Sequence, residues 1–435
     1  MATAQAARDA HHEREALVRA AGENTGRMRP PSRVPTAHMT SVVAPEFLLF
    51  ALTLLGVAVF HRRTLPIALL GLAAIVIYKL LGPGFAAGPG IGGLAAHFAH
   101  EWVTLANLLC LLLGFAIIAR YFEDSRVPLL LPKYLPDDWT GALALLGTVF
   151  VVSAFLDNIA AALIGGAIAH TVFRGKVHIG YLAAIVAASN GGGSGSVIGD
   201  TTTTMMWISG VPPSDVVHAY VGACVAFAVF AIPASRAQHR HAPIMKDPPP
   251  DTHVDLARIA VVAWVLASAV TTNVIVSTRF GNLGESVPAL GAAVLVASAL
   301  GALLRQPDWR VVPGALKGAA FLLALVSCAS LMPVEQLPTA SATSAFALGA
   351  VSSVFDNIPL TALALRQGGY DWGVLAYAVG FGGSMIWFGS SAGVALSSQY
   401  PEARSVRLWL RHGWFVAVAY AAGYAALMTT LGWRP

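Results

Sequence analysis

Charge is what this chain has least of. Only 11% of its residues are Asp, Glu, Lys or Arg, against roughly 25% in soluble domains. Hydrophobic residues reach 56%, and apolar runs of about 18 or more residues recur along the whole length. A soluble protein would have to bury all of these runs, and no soluble core is built that way. Cysteine is equally scarce. Cys110, Cys224 and Cys328 lie far apart in apolar segments with no metal or redox spacing, so they read as packing residues. No nucleophile–base constellation, nucleotide-binding loop or zinc spacing is present, which points away from an enzyme. The net charge of +5 is no nucleic-acid signal, because the basic residues fall in the loops between apolar segments.

What is present is an all-α polytopic membrane pattern. Ten spans are expected, at about 43–60, 65–82, 103–122, 179–210, 216–236, 257–277, 285–304, 314–331, 371–399 and 412–432. Residues 1–40, rich in Ala, His, Arg and Pro with six Arg, lack an apolar period and read as a disordered tail. They also lack the apolar core and cleavage site of a signal peptide. Translation is expected to begin at Met39, because six Arg on the outer side would oppose the distribution described next.

Short loops should carry Lys and Arg on the cytoplasmic side. With the loop after the first span placed there, that side collects 17 of the 27 basic residues and the opposite side only Arg279, Arg366 and Arg434. The first span then starts outside, and residues 237–256, with Pro248-Pro249-Pro250 and the histidines at 239, 241 and 253, form a flexible cytoplasmic linker. The halves are 41–236 and 257–435.

Within each half an apolar stretch carries a polar octet. Val152-Ser153-Ala154-Phe155-Leu156-Asp157-Asn158-Ile159 returns as Val351-Ser352-Ser353-Val354-Phe355-Asp356-Asn357-Ile358. The flanking stretches, 139–173 and 339–368, are each long enough for two helical arms. Basic-residue asymmetry makes the first enter from the cytoplasm and the second from outside, so the halves are inverted repeats of the kind that put a binding site near the bilayer midplane. A carboxylate at membrane depth is costly and by default marks function. The structural alternative is that Asp157 and Asp356 sit at exposed turns between complete spans, with Asn as a turn residue.

Next in each half comes a glycine-rich interruption. In the first it is Ser189-Asn190-Gly191-Gly192-Gly193-Ser194-Gly195-Ser196-Val197-Ile198-Gly199-Asp200-Thr201-Thr202-Thr203-Thr204; in the second, Gly380-Phe381-Gly382-Gly383-Ser384-Met385-Ile386-Trp387-Phe388-Gly389-Ser390-Ser391. Each Gly costs a helix interior about 1 kcal/mol relative to Ala, so both spans, 179–210 and 371–399, are expected to be broken helices. Aligning Gly199 with Gly389 pairs Gly192 with Gly382, Gly193 with Gly383, Ser194 with Ser384, Asp200 with Ser390 and Asn190 with Gly380. Freed carbonyls, hydroxyls, Asn190 and Asp200 are hard oxygen donors suited to a small cation. Capping of the second half-helix is the alternative role for Asp200, and the two can coexist. The Thr201–Thr204 run and Ser390-Ser391 divide between capping and ligand contact.

These segments resemble the ion transporter superfamily, and most closely its NhaD-type sodium/proton antiporters; the likeness covers residues 41–435. The Ser-Asn-Gly-Gly…Gly-Asp-Thr-Thr-Thr segment is specific, the Asp-Asn pairs less so. The resemblance implies two re-entrant hairpins and two broken helices around a midplane site. It also implies a homodimer in the inner (plasma) membrane, with a transport domain that moves against a scaffold like an elevator. Three consecutive glycines and a short chain depart from the family pattern.

The chemistry expected is exchange of Na⁺ (or Li⁺) for H⁺. A buried carboxylate can hold a proton or a small cation, and competition for one site couples the two fluxes. Asp157, Asp200 and Asp356 are the sodium candidates. Asn158, Ser189, Asn190, Thr201, Thr202, Asn357, Ser384 and Ser390 complete the oxygen shell. No cofactor is expected beyond the transported ions, and the partners expected are the lipid bilayer, the cation and a second copy. The alternative is coupled symport of citrate, metal–citrate or another organic anion. An oxyanion permease follows only from the resemblance, and a channel stays open on the residues alone. Elsewhere, Lys79 reads as snorkelling to the interface, Asn107 and Asn273 as interhelical hydrogen-bond donors or acceptors, and His97 and His100 as loop histidines able to sense pH.

Overall fold

The structure, a computed structural model, describes residues 44–60, 63–245, 253–279 and 286–435. The tail 1–40, Met39 and Pro248-Pro249-Pro250 lie outside the described residues. Among those described there is no β-strand, only an isolated bridge between Phe85 and Gly88. The helices are α1 Pro45–Val59, α2 Thr64–Leu81, α3 Gly90–Asp124, α4 Val127–Tyr134, α5 Trp139–Ser153, α6 Asn158–Val172, α7 Ile179–Gly193, α8 Thr201–Ile208 and α9 Pro213–Val216. There follow α10 Ala219–His241, α11 Leu256–Arg279, α12 Ala289–Leu304, α13 Val311–Ser330, α14 Ala342–Ser352, α15 Asn357–Gln367, α16 Trp372–Gly382, α17 Ser391–Gln399 and α18 Val406–Thr430.

Among the described residues six segments are long and apolar enough to cross a membrane: α2, α3, Pro213–His241, Leu256–Val276, α13 and α18. Several shorter apolar helices accompany them. This is a multi-pass membrane protein. Large side chains such as Leu70, Leu81, Leu303 and Trp264 stay exposed on its outer surface, the inverse of a soluble fold and the condition that lipid requires.

Of the four remaining expected spans, two are shorter single helices and two are broken. α1 and α12 have 15 and 16 residues. The segments at 179–210 and 371–399 are each two helices separated by a break, Ser194–Asp200 and Gly383–Ser390. The octets sit in shorter breaks, with α5 and α6 around Ala154–Asp157 and α14 and α15 around Ser353–Asp356. A run of glycines ends α7 and α16, while Asp157, Asp200, Asp356 and Ser390 start the following helices as N-caps.

Three local expectations change. α3 begins at Gly90, ahead of the expected 103, so His97 and His100 are helical, and His97 is buried with its Nε2 3.0 Å from Ser330 Oγ. Lys79 does not snorkel. Its ammonium, 8% exposed, donates to the Leu331 carbonyl at 3.0 Å, where the end of α13 leaves an acceptor, and lies 3.9 Å from Glu46. α10 continues to His241, so His239 and His241 belong to its last turn. Asn107 behaves as expected, its Oδ1 accepting from the Gly291 amide at 2.9 Å across to α12.

The helices form two packed clusters. One gathers α1, α2 and α13 with the middle of α3; the larger is built on α5–α8, α10, α14 and α16–α18. In the larger cluster each hairpin seats its first arm on the broken helix that follows it, α5 on α7 and α14 on α16. Glycine sets the distance. A Cβ on Gly192 would stand 2.0 Å from the Phe150 carbonyl oxygen, and one on Gly382 would stand 2.2 Å from that of Gly349. Phe150 and Gly349 occupy the same place in the repeat, so the close approach is built twice. Hydroxyls tie the same seam: Ser153 donates to Ser189 O at 2.6 Å and Ser352 to Val379 O at 2.8 Å.

His178, just ahead of α7, caps that helix by accepting from the Gly180 amide through Nδ1 at 3.2 Å. Its ring lies 5.0 Å from that of His412 and 5.5 Å from that of His241. Burial first, then these two rings, hold its pKa below the ordinary 6.5, and the cap requires the neutral ring.

Two predictions follow from the packing. Gly192→Ala and Gly382→Ala should each lower the detergent-solubilised melting midpoint sharply, at a cost of about 3 kcal/mol or more. Gly147→Ala, whose Cβ would meet nothing nearer than 3.9 Å, should leave the midpoint unchanged. The His178 contribution to stability is present above its unfolded pKa of about 6.5 and is lost as pH falls below it. The midpoint of wild type should therefore drop more steeply below pH 6.5 than that of His178→Asn, measured over pH 5 to 8.

Candidate functional site

Four half-helices begin in the breaks, and their N-terminal residues are the ones the repeats singled out. Each aspartate uses one carboxylate oxygen as a cap: Asp157 Oδ2 accepts from Ile159 N at 3.1 Å, Asp200 Oδ1 from Thr202 N at 2.9 Å and Asp356 Oδ1 from Ile358 N at 3.0 Å. Capping is therefore real for all three, and it leaves a second oxygen on each. The Asp356 Oδ2 accepts from Ser391 Oγ at 2.8 Å. Thr201, which corresponds to Ser391, stands within hydrogen-bonding reach of Asp157. Asp157 and Asp356 are partly exposed and Asp200 is 2% exposed, and both of the former lie close enough to act on the charge of Asp200. No basic side chain pairs with any of the three among the described residues.

Asn190 joins the halves. Its Oδ1 accepts from Asn158 Nδ2 at 3.0 Å, and its Nδ2 donates to Ser384 Oγ at 2.9 Å and Ser390 Oγ at 3.0 Å. One fully buried amide thus binds the tip of the first hairpin to both sides of the break in the second broken helix. The structure thereby brings together Asn158, Asn190, Ser384 and Ser390, and separately pairs Asp356 with Ser391. Ser189 does not join them, since its hydroxyl donates to Val186 O at 2.9 Å within its own helix.

The threonine run divides its labour. Thr203 donates to Ser196 O at 2.6 Å and Thr204 to Val197 O at 2.9 Å, while both also reach Asp200 O. Ser196 in turn donates to Ala154 O at 2.6 Å. These bonds satisfy carbonyls that the break releases from helical pairing, as nonhelical backbone at membrane depth requires. Ser153, Ser196 and Ser352 were not among the site residues expected; the octet repeat, which pairs Ser352 with Ser153, is the signal that bears on two of them.

Three buried polar atoms remain without a partner here: Asp200 Oδ2, Thr202 Oγ1 and Asn357 Nδ2. Thr202 stands beside the Asp200 carboxylate. A buried polar group left unpaired costs about 1–3 kcal/mol, more when charged, so such a cluster marks a place where something else supplies the partner.

Asn190→Ala should leave Asn158, Ser384 and Ser390 each short of a bond. The expected cost is on the order of 2 kcal/mol, read as a lower melting midpoint of the purified protein. Ser189→Ala should shift it little.

No protein-family model matches the chain. A stretch of 94 residues is 35% identical to the protein named sodium/proton antiporter 1 of Arabidopsis thaliana. It makes up 19% of this chain and 16% of that relative, so the likeness spans less than a fifth of either protein.

Proposed function

We propose that this chain is a secondary active transporter that exchanges Na⁺ (or Li⁺) for H⁺. The observation that carries the reading is the convergence of three carboxylates, each at the start of a half-helix, with no basic side chain among the described residues to neutralise them. Helix N-termini favour the ionised carboxylates, while the apolar surroundings favour their neutral, protonated form. A cation resolves that conflict when the proton leaves. Proton and cation are then alternatives at one set of oxygens, and their competition couples the opposing fluxes.

The local identity to a sodium/proton antiporter supports exchange of this kind. In our reading the protein is of the NhaD type and the halves are inverted repeats, so that the hairpins are re-entrant, one from each side, and the carboxylates lie near the midplane. It works as a homodimer in a plasma membrane, with the first span starting outside. Asp157, Asp200 and Asp356 take the proton or cation. Asn158, Asn190, Asn357, Thr201, Thr202, Ser384 and Ser390 hold the shell in shape or contribute oxygens to it, and Ser189 acts through its carbonyl. A bare organic anion would meet three acids and no cationic side chain, so anion symport gains no support from this arrangement.

In proteoliposomes holding only this protein, added Na⁺ or Li⁺ should dissipate an imposed pH gradient. Asp157→Asn and Asp200→Asn should each lower the initial rate at least a hundredfold while keeping the wild-type elution profile. Undiminished sodium-dependent proton movement in both variants would overturn the assignment.

A further inference from the structure

The two halves use the same backbone device but fill it differently, and at the site the differences that matter are Asp200 against Ser390 and Asn190 against Gly380. In the second broken helix the residues at the two ends of the break, Ser384 and Ser390, are short hydroxyls, and the Asn190 amide occupies the space between them. The equivalent residues of the first are Ser194 and Asp200, and the place corresponding to Asn190 is Gly380, which has no side chain. A Cβ built on Gly380 would have Asp200 Oδ2 at 3.5 Å, the Ser194 Cβ at 3.6 Å and Thr202 Oγ1 at 4.0 Å as its nearest neighbours. Two of the residues around Asn190 are therefore matched around Gly380 by Ser194 and Asp200, with a carboxylate where the other half has a hydroxyl and no side chain where the other half has an amide.

Two of the unpartnered atoms, Asp200 Oδ2 and Thr202 Oγ1, flank Gly380, and the repeat register assigns the third, Asn357 Nδ2, to the same place. Asp200, Thr202 and Asn357 are 2%, 0% and 1% exposed, yet Asp200 Oδ2, Thr202 Oγ1 and Asn357 Nδ2 have no hydrogen-bond partner. Asn357 is the repeat counterpart of Asn158, whose amide is satisfied by Asn190. Its own counterpart of Asn190 is Gly380, which explains why its amide lacks a partner. The primary amide can turn to present its oxygen instead of its nitrogen.

We propose that the space between Gly380 and Asp200 Oδ2 is the seat of a single dehydrated alkali cation, held by Asp200, Thr202 and the Asn357 amide, and that Asn190 closes the equivalent seat in the other half. The inference rests on the antiport reading above for the cation class and refines it from three candidate aspartates to one. Asp356, whose second oxygen accepts from Ser391, and Asp157, both partly exposed, flank the seat instead of forming it. Gly380 then decides which cation fits: a methyl group there enters the free volume over Oδ2 without contacting anything closer than 3.5 Å, so it can narrow the seat without disturbing the packing.

The test measures binding and transport separately on the full chain. Sodium binding to purified protein, by isothermal titration with NaCl and LiCl, should weaken at least tenfold in Gly380→Ala, with Li⁺ losing less than Na⁺ because it is smaller. Gly380→Asn, which copies the plugged half, should bind neither. Thr202→Ala should weaken binding and Thr202→Ser restore it. Wild-type sodium affinity in Gly380→Ala, or no sodium binding to the wild type, overturns the seat; because the alanine is sterically accommodated, this holds even where Gly380→Asn does not fold. A wild type that binds sodium with the expected Gly380→Ala loss, but moves no protons in vesicles, upholds the seat and overturns antiport instead.

Discussion

Backbone groups released at a helix break inside an apolar slab have no water to turn to, and each one left bare costs as much as a lost hydrogen bond. The larger cluster of this protein is arranged around that constraint. Four breaks converge and satisfy one another: hydroxyls from Ser153, Ser352, Ser196, Thr203 and Thr204 take the freed carbonyls, and capping side chains take the freed amides at the start of each half-helix. Glycines at 192 and 382 bring the breaks close enough for this to happen. The polar centre is thus first a solution to a structural problem.

Function enters through what that solution leaves over. A cap needs one oxygen, and a carboxylate has two. At Asp356 the spare oxygen is matched by Ser391, and Asp157 has Thr201 within reach; at Asp200 it is not matched by any protein group. Had evolution required only a cap at position 200, a serine would serve, as Ser390 serves in the other half. The acid carries an additional charge into a site where no basic side chain pairs with it among the described residues, and under the proposed function that is what a proton or cation would relieve. Asn190 plays the opposite part, spending its whole amide on holding hairpin and broken helix together across the two halves.

Much of this was legible beforehand, and for identifiable reasons. Composition and hydropathy respond to solvent, so the scarcity of charge gave the multi-span helical class. Glycine and Asx residues act locally on the backbone, so the octets around Asp157 and Asp356 and the glycine runs around 192 and 382 located all four breaks. Side-chain partners were another matter. Nothing near Lys79 in the chain announces the Leu331 carbonyl that binds it, and nothing near His97 announces Ser330, its partner in another helix.

The sequence by itself determined that helices would break, where they would break and which residues would begin the next turn, because those are properties of neighbouring residues. Only the tertiary structure decided which oxygens were left free. That depends on residues some two hundred positions apart, such as Asn190 against Ser390 and Gly380 against Asp200. No local pattern records whether the place opposite an acid will be filled by an amide or left open, since hydrogen-bond satisfaction is settled in space.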